Sequence, residues 1–324
     1  MRRECWCGAK AARLVADVRL EDCASFPLVQ CVQCKVYALH PPPNDAVLAH
    51  YYSSEYYGKS RKKFVGPISK VVDVFQGGRA RQVDWYLRQW HKGAHKGGRN
   101  PRLLDVGCGN GGFLMQMRQR GYDVEGTEWT SDSAKRIPTG ARVPIHVGDL
   151  LSLSLPDHSF DAITLWHVFE HLRTPDATLD KIYRLLKPGG LLFLAMPNHE
   201  SWQAERFGTN WFHLDPPRHL HGFGVKSLLV LLTIKKFQWL RVTTFSLEQN
   251  PYGFLQSILN SFGYPRDRAY SVLKGTSRDP WQTKAKDLLL VALLAPFALL
   301  YSLVEWLASR GATVNVIAQK RARN

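Results

Sequence analysis

The central part of the chain alternates between apolar runs and stretches in which apolar residues recur at helical spacing. Runs of strand length lie within residues 103–106, 122–129, 160–172 and 185–198. Between the last two, residues 174–186 have helical spacing and end at a Lys-Pro-Gly-Gly sequence. Strands that alternate with helices predict a parallel sheet with helices on both faces, which is a doubly wound α/β fold.

Further elements are predicted on both sides of this core. Apolar residues recur at helical spacing in residues 64–90 and 225–234, and both segments are predicted helices. A basic, glycine-rich linker at residues 91–100 joins the first of them to the core. Residues 239–247 and 312–318 are predicted strands, the second an antiparallel strand at the edge of the sheet.

A glycine-rich turn follows the first core strand, within residues 103–114. Gly107, Gly109 and Gly111 allow backbone N–H groups to approach a ligand closely, where side chains would block it. Their spacing also suits a dinucleotide, so the glycines alone do not identify the ligand. Asp105 beside the turn would repel a pyrophosphate but attract the ammonium group of S-adenosylmethionine. An ordinary strand-turn-helix corner remains the alternative.

Polar residues stand at the ends of the following strands. Glu128 lies about 20 residues past the glycine turn, where an acid can accept hydrogen bonds from both ribose hydroxyls. Asp149 and His167 end the next two strand segments. Because ligands of such sheets bind at the carboxyl ends of the strands, these residues are expected to line one site.

Taken in order, these segments resemble the class I S-adenosylmethionine-dependent methyltransferases, in the branch of the ubiquinone-type methyltransferases. The resemblance covers residues 101–247 and 312–320. It implies a Rossmann-like sheet of seven strands, with S-adenosylmethionine as the cofactor. The residues that it implies for cofactor binding are Asp105, Gly107, Cys108, Gly109, Gly111, Glu128, Trp129, Asp149, Leu150 and His167.

Candidate catalytic residues follow the strand that ends near residue 166. His167, Glu170 and His171 lie beside the expected position of the methyl group, and His167 is the first candidate for a general base. Related methyltransferases carry Glu-x-x-Glu-His here as metal ligands, but this chain has His167 in place of the first acid. A structural pairing of Glu170 with a histidine is the alternative. His219 and His221 are further candidates.

Two long segments outside the core strands also resemble this group. Residues 197–223 are rich in aromatic and histidine residues and are expected to form a lid where substrate enters. Residues 47–58 contain two tyrosine pairs, which are expected either to cover the cofactor or substrate or to pack between modules.

Four cysteines near the start of the chain form two close pairs. Thiolates at short spacing suit tetrahedral zinc, and a cytosolic compartment favours metal binding over disulfides. The segment resembles the zinc-binding segments that precede some bacterial methyltransferase domains, although its first pair is Cys-x-Cys rather than Cys-x-x-Cys. Reduced cysteines without metal are the alternative. The expected structural zinc ligands are Cys5, Cys7, Cys31 and Cys34.

An apolar insertion separates the last two predicted strands. Residues 288–304 contain no charged residue, but the run is short for a membrane span and contains Pro296. A helix at the membrane interface or a re-entrant hairpin is therefore expected, with Trp281, Tyr301 and Trp306 at headgroup level. A soluble helical insertion packed on the core or on a second subunit is the alternative.

Charge and composition narrow the choice of partners. The 324 residues carry a formal net charge of +16, which favours anionic partners, and the basic residues are dispersed. We expect a cytoplasmic methyltransferase, peripheral or monotopic on the inner face of the membrane, that acts on a small or lipid-linked anionic acceptor such as a sugar, a polysaccharide precursor or a quinone. An RNA or protein methyltransferase that docks through the zinc module, and a noncatalytic cofactor-binding protein, are the alternatives.

The predicted architecture is therefore α/β, with a zinc-ribbon-like module at one end and a helical insertion near the other. The expected divisions are the cysteine module (1–40), a helical and aromatic linker (41–98), the methyltransferase core (99–248), the apolar insertion (249–310), and the last strand with a basic tail (311–324).

Overall fold

The computed structural model describes residues 5–20, 22–52, 67–90, 100–137, 143–266, 268–275 and 277–321. Most of the predicted linker at 91–100 and the second half of the tyrosine segment at 47–58 lie outside the described residues. The strands are β1 (Ala12–Arg19), β2 (Ser25–Cys31), β3 (Tyr37–Leu39), β4 (Arg102–Val106), β5 (Asp123–Glu128), β6 (Ile145–Val147), β7 (Phe160–Trp166), β8 (Leu186–Pro197), β9 (His221–Gly222), β10 (Phe237–Thr243) and β11 (Thr313–Lys320).

Seven of these strands form one sheet in the order β10-β11-β8-β7-β4-β5-β6. The five strands from β6 to β8 pair in parallel, while β11 runs antiparallel to both of its neighbours. Strands β4, β7 and β8 are buried along nearly their whole length, because helices cover both faces of the sheet. The predicted doubly wound sheet is confirmed.

The place of the last strand differs from the sequence-based prediction. Residues 312–318 were expected at the edge of the sheet, but β11 lies between β8 and β10, and β10 is the edge strand. Residues 312–318 were correctly predicted as a strand, whereas the position of β11 depends on pairing with β8, which begins more than 100 residues earlier in the chain. The predicted antiparallel direction is confirmed and the predicted edge position is wrong.

Helices complete the two layers on either side of the sheet. Several begin or end within a residue or two of the predicted bounds, and the segment at 64–90 contains one long helix. The helices are α1 (Asp45–Tyr51), α2 (Pro67–Trp90), α3 (Gly112–Gln119), α4 (Ser131–Ala134), α5 (Pro175–Leu185), α6 (Trp202–Phe207), α7 (Val225–Ile234), α8 (Asn250–Ser261), α9 (Arg268–Lys274) and α10 (Trp281–Leu307).

A second, smaller sheet joins the cysteine segment to the predicted lid. Its strands lie in the order β1-β2-β3-β9, and all of them pair antiparallel. Strand β9 comes from the lid segment, where Tyr37 pairs with Gly222 and Ala38 with His221. The cysteine segment is therefore attached to the lid by backbone hydrogen bonds.

The apolar insertion contains one unbroken helix rather than a hairpin broken at proline. Helix α10 runs through Pro296, whose ring lies on the exposed side. The opposite side of α10 packs on α8, where the rings of Phe254 and Tyr301 stack with their centroids 4.1 Å apart. This packing supports the helical turn in which Pro296 has no backbone N–H to donate. Among the described residues, α10 is long and apolar enough to cross a membrane by length and composition.

Candidate active site

The glycine turn lies at the carboxyl end of β4, in the middle of the sheet. Gly107 and Gly109 have positive φ angles of 70° and 60°. A Cβ atom on Gly107 would lie 2.6 Å from Cγ2 of Val168, so the turn packs tightly on the segment that carries the candidate catalytic residues. A Cβ atom on Gly109 would meet nothing within 4 Å, so this part of the turn is open on the ligand side.

Asp105 is buried directly behind the turn. Its Oδ1 accepts a hydrogen bond of 2.5 Å from Oγ1 of Thr164 on β7, and the Arg79 cation lies near enough to favour its ionised form. Burial outweighs both influences and raises the pKa of Asp105 to about 7. Near neutral pH the carboxyl group is therefore poised to gain or lose charge, and a bound ammonium group would favour the charged form.

Glu128 and Trp129 stand at the carboxyl end of β5, next to the turn. Glu128 is buried, which raises the pKa of its carboxyl group, and its Oε1 accepts a hydrogen bond from the N–H of Gly109. The two predicted cofactor contacts are thus brought together. Trp129 has 57% of its surface exposed and offers an open ring face beside Glu128, as expected for a residue that packs on an adenine ring.

The remaining predicted cofactor residues have structural roles of their own. Asp149 follows β6, and its Oδ1 accepts a hydrogen bond of 2.9 Å from the N–H of Leu151. Leu150 is buried in the core, so its backbone is the part available to a ligand. Cys108 is also buried, and its Sγ would lie 2.5 Å from a Cβ atom on Gly126. The side chain of Cys108 is therefore a small packing residue within the turn.

The candidate catalytic residues converge just past the end of β7. His167 has a positive φ of 56°, which a non-glycine residue adopts at a cost and which is found preferentially at functional sites. Its Nδ1 lies 3.5 Å from Oε1 of Glu170, and Nε2 of His219 lies 3.9 Å from the same oxygen. The structure therefore brings His167 and His219 to one carboxylate, although they are far apart in sequence.

Glu170 is the most deeply buried member of this group. Its exposed fraction is 1%, and neither carboxylate oxygen accepts a hydrogen bond from any residue that the structure describes. Burial raises the pKa of Glu170 to about 7, and the positive charge available on His171 opposes this rise. A buried carboxylate without hydrogen bonds is costly, which indicates that this group serves a ligand or a proton.

Backbone contacts orient the two flanking histidines. Nδ1 of His171 lies 2.9 Å from the carbonyl of Arg218, and Nδ1 of His219 lies 2.8 Å from the carbonyl of His213. A carbonyl at Nδ1 favours the proton there and leaves a lone pair on Nε2. Burial lowers the pKa of His219 well below its ordinary value, so its ring stays neutral.

Glu170, His171 and His219 form a set that suits a divalent metal ion. One donor atom from each residue lies within 4.8 Å of the other two. The pattern of Nδ1 bonded to a carbonyl and Nε2 free is the usual arrangement of metal-binding histidines. The set therefore suits one metal ion, although His167 replaces the first acid of the Glu-x-x-Glu-His pattern and the third donor would come from His219.

Three contacts at this site are outside the set predicted from the sequence. The Tyr52 hydroxyl lies 2.9 Å from Nδ1 of His171, so the first tyrosine pair does reach the candidate catalytic residues. Asp215 forms an ion pair with Arg218, and its Oδ2 lies 3.8 Å from Nε2 of His219. The tyrosine pair and the Asp-Pro-Pro-Arg-His sequence were visible signals, but their contacts depend on the tertiary fold.

The four cysteines of the N-terminal segment also converge. Sγ of Cys5 lies 3.4 Å from Sγ of Cys34, Sγ of Cys7 lies 3.6 Å from Sγ of Cys31, and all four sulfur atoms lie within 4.8 Å of one another. Tetrahedral zinc–thiolate bonds of about 2.3 Å would separate the sulfur atoms by roughly 3.8 Å. The donor set therefore fits one structural zinc ion, including the unusual Cys-x-Cys pair.

Purified protein is expected to carry close to one equivalent of zinc, which the double variant Cys31→Ser with Cys34→Ser should lose. Two hydroxyl groups cannot replace two thiolates in a tetrahedral zinc site. Metal analysis by inductively coupled plasma mass spectrometry measures the content, and Cys23→Ser is the matched control. A metal-free wild-type protein with a folded N-terminal sheet would contradict this expectation.

The pKa of Asp105 leads to an expected pH dependence of cofactor binding. Since its pKa is raised to about 7, the charged form that attracts an ammonium group is gained as the pH rises through 7 and lost below it. Affinity for S-adenosylmethionine should therefore fall by up to about tenfold for each pH unit below 7. Calorimetry between pH 5.5 and 8 (roughly one to two units around that pKa) measures the profile.

The variant Asp105→Asn tests the origin of this dependence. Asparagine can still accept the hydrogen bond from Thr164 but carries no charge. This variant should bind S-adenosylmethionine more weakly, and its affinity should change less with pH. An unchanged slope in this variant would show that another group controls binding.

The strand order, the glycine turn and the acids at the strand ends together define a Rossmann-like methyltransferase fold. Residues 79–238 match the family model described as "Methyltransferase domain". These residues form a class I S-adenosylmethionine-dependent methyltransferase domain.

Several curated relatives of this domain share one name. The chain is 34% identical over 103 residues to the ubiquinone biosynthesis O-methyltransferase of Xanthomonas axonopodis, covering 30% of this chain and 43% of the relative. It is 28% identical over 131 residues to the enzyme of that name from Pseudomonas entomophila, covering 38% and 56% respectively. The chain thus spans about half the length of the curated relatives that it matches.

The fold is also similar to a solved structure. A Galdieria sulphuraria protein described as a sarcosine dimethylglycine methyltransferase superposes with a TM-score of 0.51 and 15% sequence identity. The match covers 84% of this chain and 97% of that one. At this level of identity the similarity concerns the fold alone.

Proposed function

We propose that the protein transfers a methyl group from S-adenosylmethionine to an oxygen atom of an anionic acceptor. The observation that carries the proposal is the convergence of His167, Glu170, His171 and His219 beside the glycine turn. Val168, within this group, packs directly against Gly107, so the candidate catalytic residues and the cofactor turn share one surface. Methyl transfer is an in-line displacement, for which such fixed proximity is a large part of catalysis.

His167 is the residue proposed to remove the proton of the acceptor. It lies at the open side of the group, with 21% of its side chain exposed, whereas the carboxylate of Glu170 is closed off behind it. A carboxylate at 3.5 Å orients the imidazole ring and stabilises its protonated form. As His167 takes the proton of the acceptor hydroxyl, the hydroxyl oxygen would attack the methyl carbon. The bond between that carbon and the sulfonium sulfur would break, its electron pair would stay on sulfur, and S-adenosylhomocysteine would leave.

Glu170, His171 and His219 are proposed to hold the divalent metal ion. When bound, such an ion would supply positive charge near the acceptor oxygen and favour its ionised form. The buried carboxylate of Glu170 would then have a positively charged partner, and each of the two histidines would supply one ring nitrogen. Tyr52 and the carbonyls of Arg218 and His213 keep the two rings oriented.

The proposed acceptor class rests on the surroundings of the site. The net charge of +16 favours an anionic molecule, and the lid approaches the candidate residues where the carbonyl of His213 contacts Nδ1 of His219. The curated relatives are named ubiquinone biosynthesis O-methyltransferases, which supports an oxygen acceptor. A lipid-linked sugar, a polysaccharide precursor or a quinone-like phenol would combine these properties.

The proposal is tested with S-adenosylmethionine that carries a deuterated methyl group. Purified protein is incubated with separate lipid, polar metabolite and RNA fractions of host cells, and mass spectrometry identifies the molecules that gain the label. Label in an anionic lipid or small molecule, lost with His167→Ala, is expected. Label in RNA would favour a nucleic acid substrate, and cofactor binding without any label would favour a noncatalytic role.

A further inference from the structure

Helix α10 buries both of its acids and exposes many of its large apolar residues. Its two acids, Asp287 and Glu305, are 2% and 0% exposed. Asp287 accepts hydrogen bonds from the Tyr264 hydroxyl and from Nε of Arg268, and Oε1 of Glu305 accepts one of 2.9 Å from Nε2 of Gln203. Both acids therefore point toward the rest of the insertion and the lid.

The outward side of the same helix is apolar over its last five turns. A helix at a water-facing surface normally shows the reverse pattern, with charged residues outside. A contiguous apolar surface of this length marks an interaction site. The exposed members are Leu288, Leu289, Leu293, Phe297, Leu299, Leu300, Leu303, Val304, Trp306 and Leu307, and we call them the outer face.

Helix α10 lies along the domain rather than projecting from it. Apart from the contact of Glu305 with Gln203, helix α8 lies between α10 and the lid. The N–H of Phe212 donates to Oγ of Ser257, and Nδ2 of Asn260 donates to the carbonyl of Asn210. Nε of Arg310, just past α10, donates to the carbonyl of Glu200. These contacts fasten the insertion to the domain in the second half of α8 and just past the end of α10.

This attachment is incompatible with α10 crossing a bilayer. A crossing would carry α8 and the ion pair of Arg268 with Asp287 into hydrocarbon, where charged side chains are costly. Insertion of α10 into the bilayer with its amino-terminal end first would bury Lys284 and Lys286, which precede the apolar run. Contact along the side of the helix avoids both costs, because the outer face itself carries no charge.

The ends of the outer face suit an anionic lipid surface. Trp281 is 71% exposed and Trp306 is 40% exposed, and tryptophan is favoured at the level of the headgroups. Lys284 and Lys286 adjoin one end, where they would attract anionic headgroups. A second copy of the chain would bring the same lysines and the same positive net charge to the contact, so charge favours lipid over self-association.

We propose that the outer face of α10 docks in the plane of an anionic membrane surface, with the helix lying flat. The protein is then arranged in layers, with α10 on the lipid, α8 above it and the lid above α8. This docking does not depend on methyl transfer. Where the proposed function holds, it places the lid close to lipid-linked acceptors.

Vesicle flotation tests the docking. Wild-type protein should float with phosphatidylcholine vesicles that contain phosphatidylglycerol and should float less well with pure phosphatidylcholine. Replacing Leu289, Leu293, Leu300 and Leu307 by glutamine should reduce the bound fraction roughly tenfold or more, because it removes the apolar contact. Glutamine keeps helix propensity, and all four side chains point away from the core, so thermal unfolding should be unchanged.

A matched variant controls for the loss of surface apolarity in general. Val71, Val74, Val230 and Ile234 are exposed on helices α2 and α7, and their replacement by glutamine should leave flotation intact. Lys284→Glu with Lys286→Glu should remove the preference for phosphatidylglycerol. Flotation of the leucine variant at the wild-type level would overturn the proposal. If instead the wild-type protein is a dimer that does not float and the leucine variant is a monomer, the outer face binds a second copy of the chain.

Discussion

Replacing Glu128 by alanine should lower the affinity for S-adenosylmethionine by about a hundredfold or more. The carboxylate is expected to accept hydrogen bonds from both ribose hydroxyls, and a hydrogen bond to a charged group contributes roughly 1.5–3 kcal/mol. Loss of two such bonds corresponds to at least two powers of ten in the dissociation constant, because about 1.4 kcal/mol is a factor of ten. Isothermal titration calorimetry at pH 8, about one unit above the pKa of Asp105, measures the change without interference from that group.

A second acid on the same strand provides the control. Glu125 on β5 pairs with Arg102 and with Nε2 of His146, away from the glycine turn. Glu125→Ala should therefore change cofactor affinity little, although it removes the same charge. Equal losses in both variants would mean that the strand is disturbed rather than the ribose contact. Tight binding of NAD by wild-type protein, with no binding of S-adenosylmethionine, would contradict the proposed ligand.

Replacing Glu170 by glutamine should lower turnover by roughly 10²- to 10⁴-fold, with little change in cofactor affinity. The buried carboxylate is proposed both to orient His167 and to bind the metal ion together with His171 and His219. Glutamine has nearly the same shape but supplies no negative charge to either partner. Turnover with the acceptor identified by labelling and the binding of Mn²⁺ followed by electron paramagnetic resonance are the two measurements.

The two readouts separate the roles of Glu170. Loss of turnover and of Mn²⁺ binding supports a metal site, whereas loss of turnover alone supports the pairing with His167. Glu205→Gln is the matched control, because Glu205 is an exposed acid of the lid that pairs with Arg310. Wild-type turnover in Glu170→Gln would exclude Glu170 from catalysis.

Local patterns were sufficient to predict most of the sheet and helices. The apolar runs in the core are continuous because parallel strands are buried on both faces, and this signal is strong in a single sequence. The position of a strand within the sheet is not encoded in its local sequence. For this reason β11 was expected at the edge, whereas it lies between β8 and β10. Pro296 left a single helix and a hairpin as alternatives, and α10 is a single helix because helix packing outweighs the loss of one backbone hydrogen bond.

The site was predictable where it depends on strand ends and less so where it depends on contacts between distant segments. Asp105, Glu128 and His167 come together because their strands are parallel neighbours whose carboxyl ends meet at one edge. The approach of Tyr52 to His171 joins residues 119 positions apart and has no local signal. The same is true of Arg79, which lies 5.3 Å from the ring centroid of Trp166 and influences Asp105.

Strands β10 and β11 are neighbours in the sheet, and Thr243 pairs with Asn315 where the insertion leaves and rejoins it. The entire segment between them therefore occupies the place of a hairpin turn. The entropic cost of closing a loop grows only slowly with its length, so such a segment can be lengthened, shortened or exchanged while the strands keep their register. The insertion, which is proposed to bind the membrane surface, can thus be inherited and engineered separately from the core, which is proposed to carry out methyl transfer.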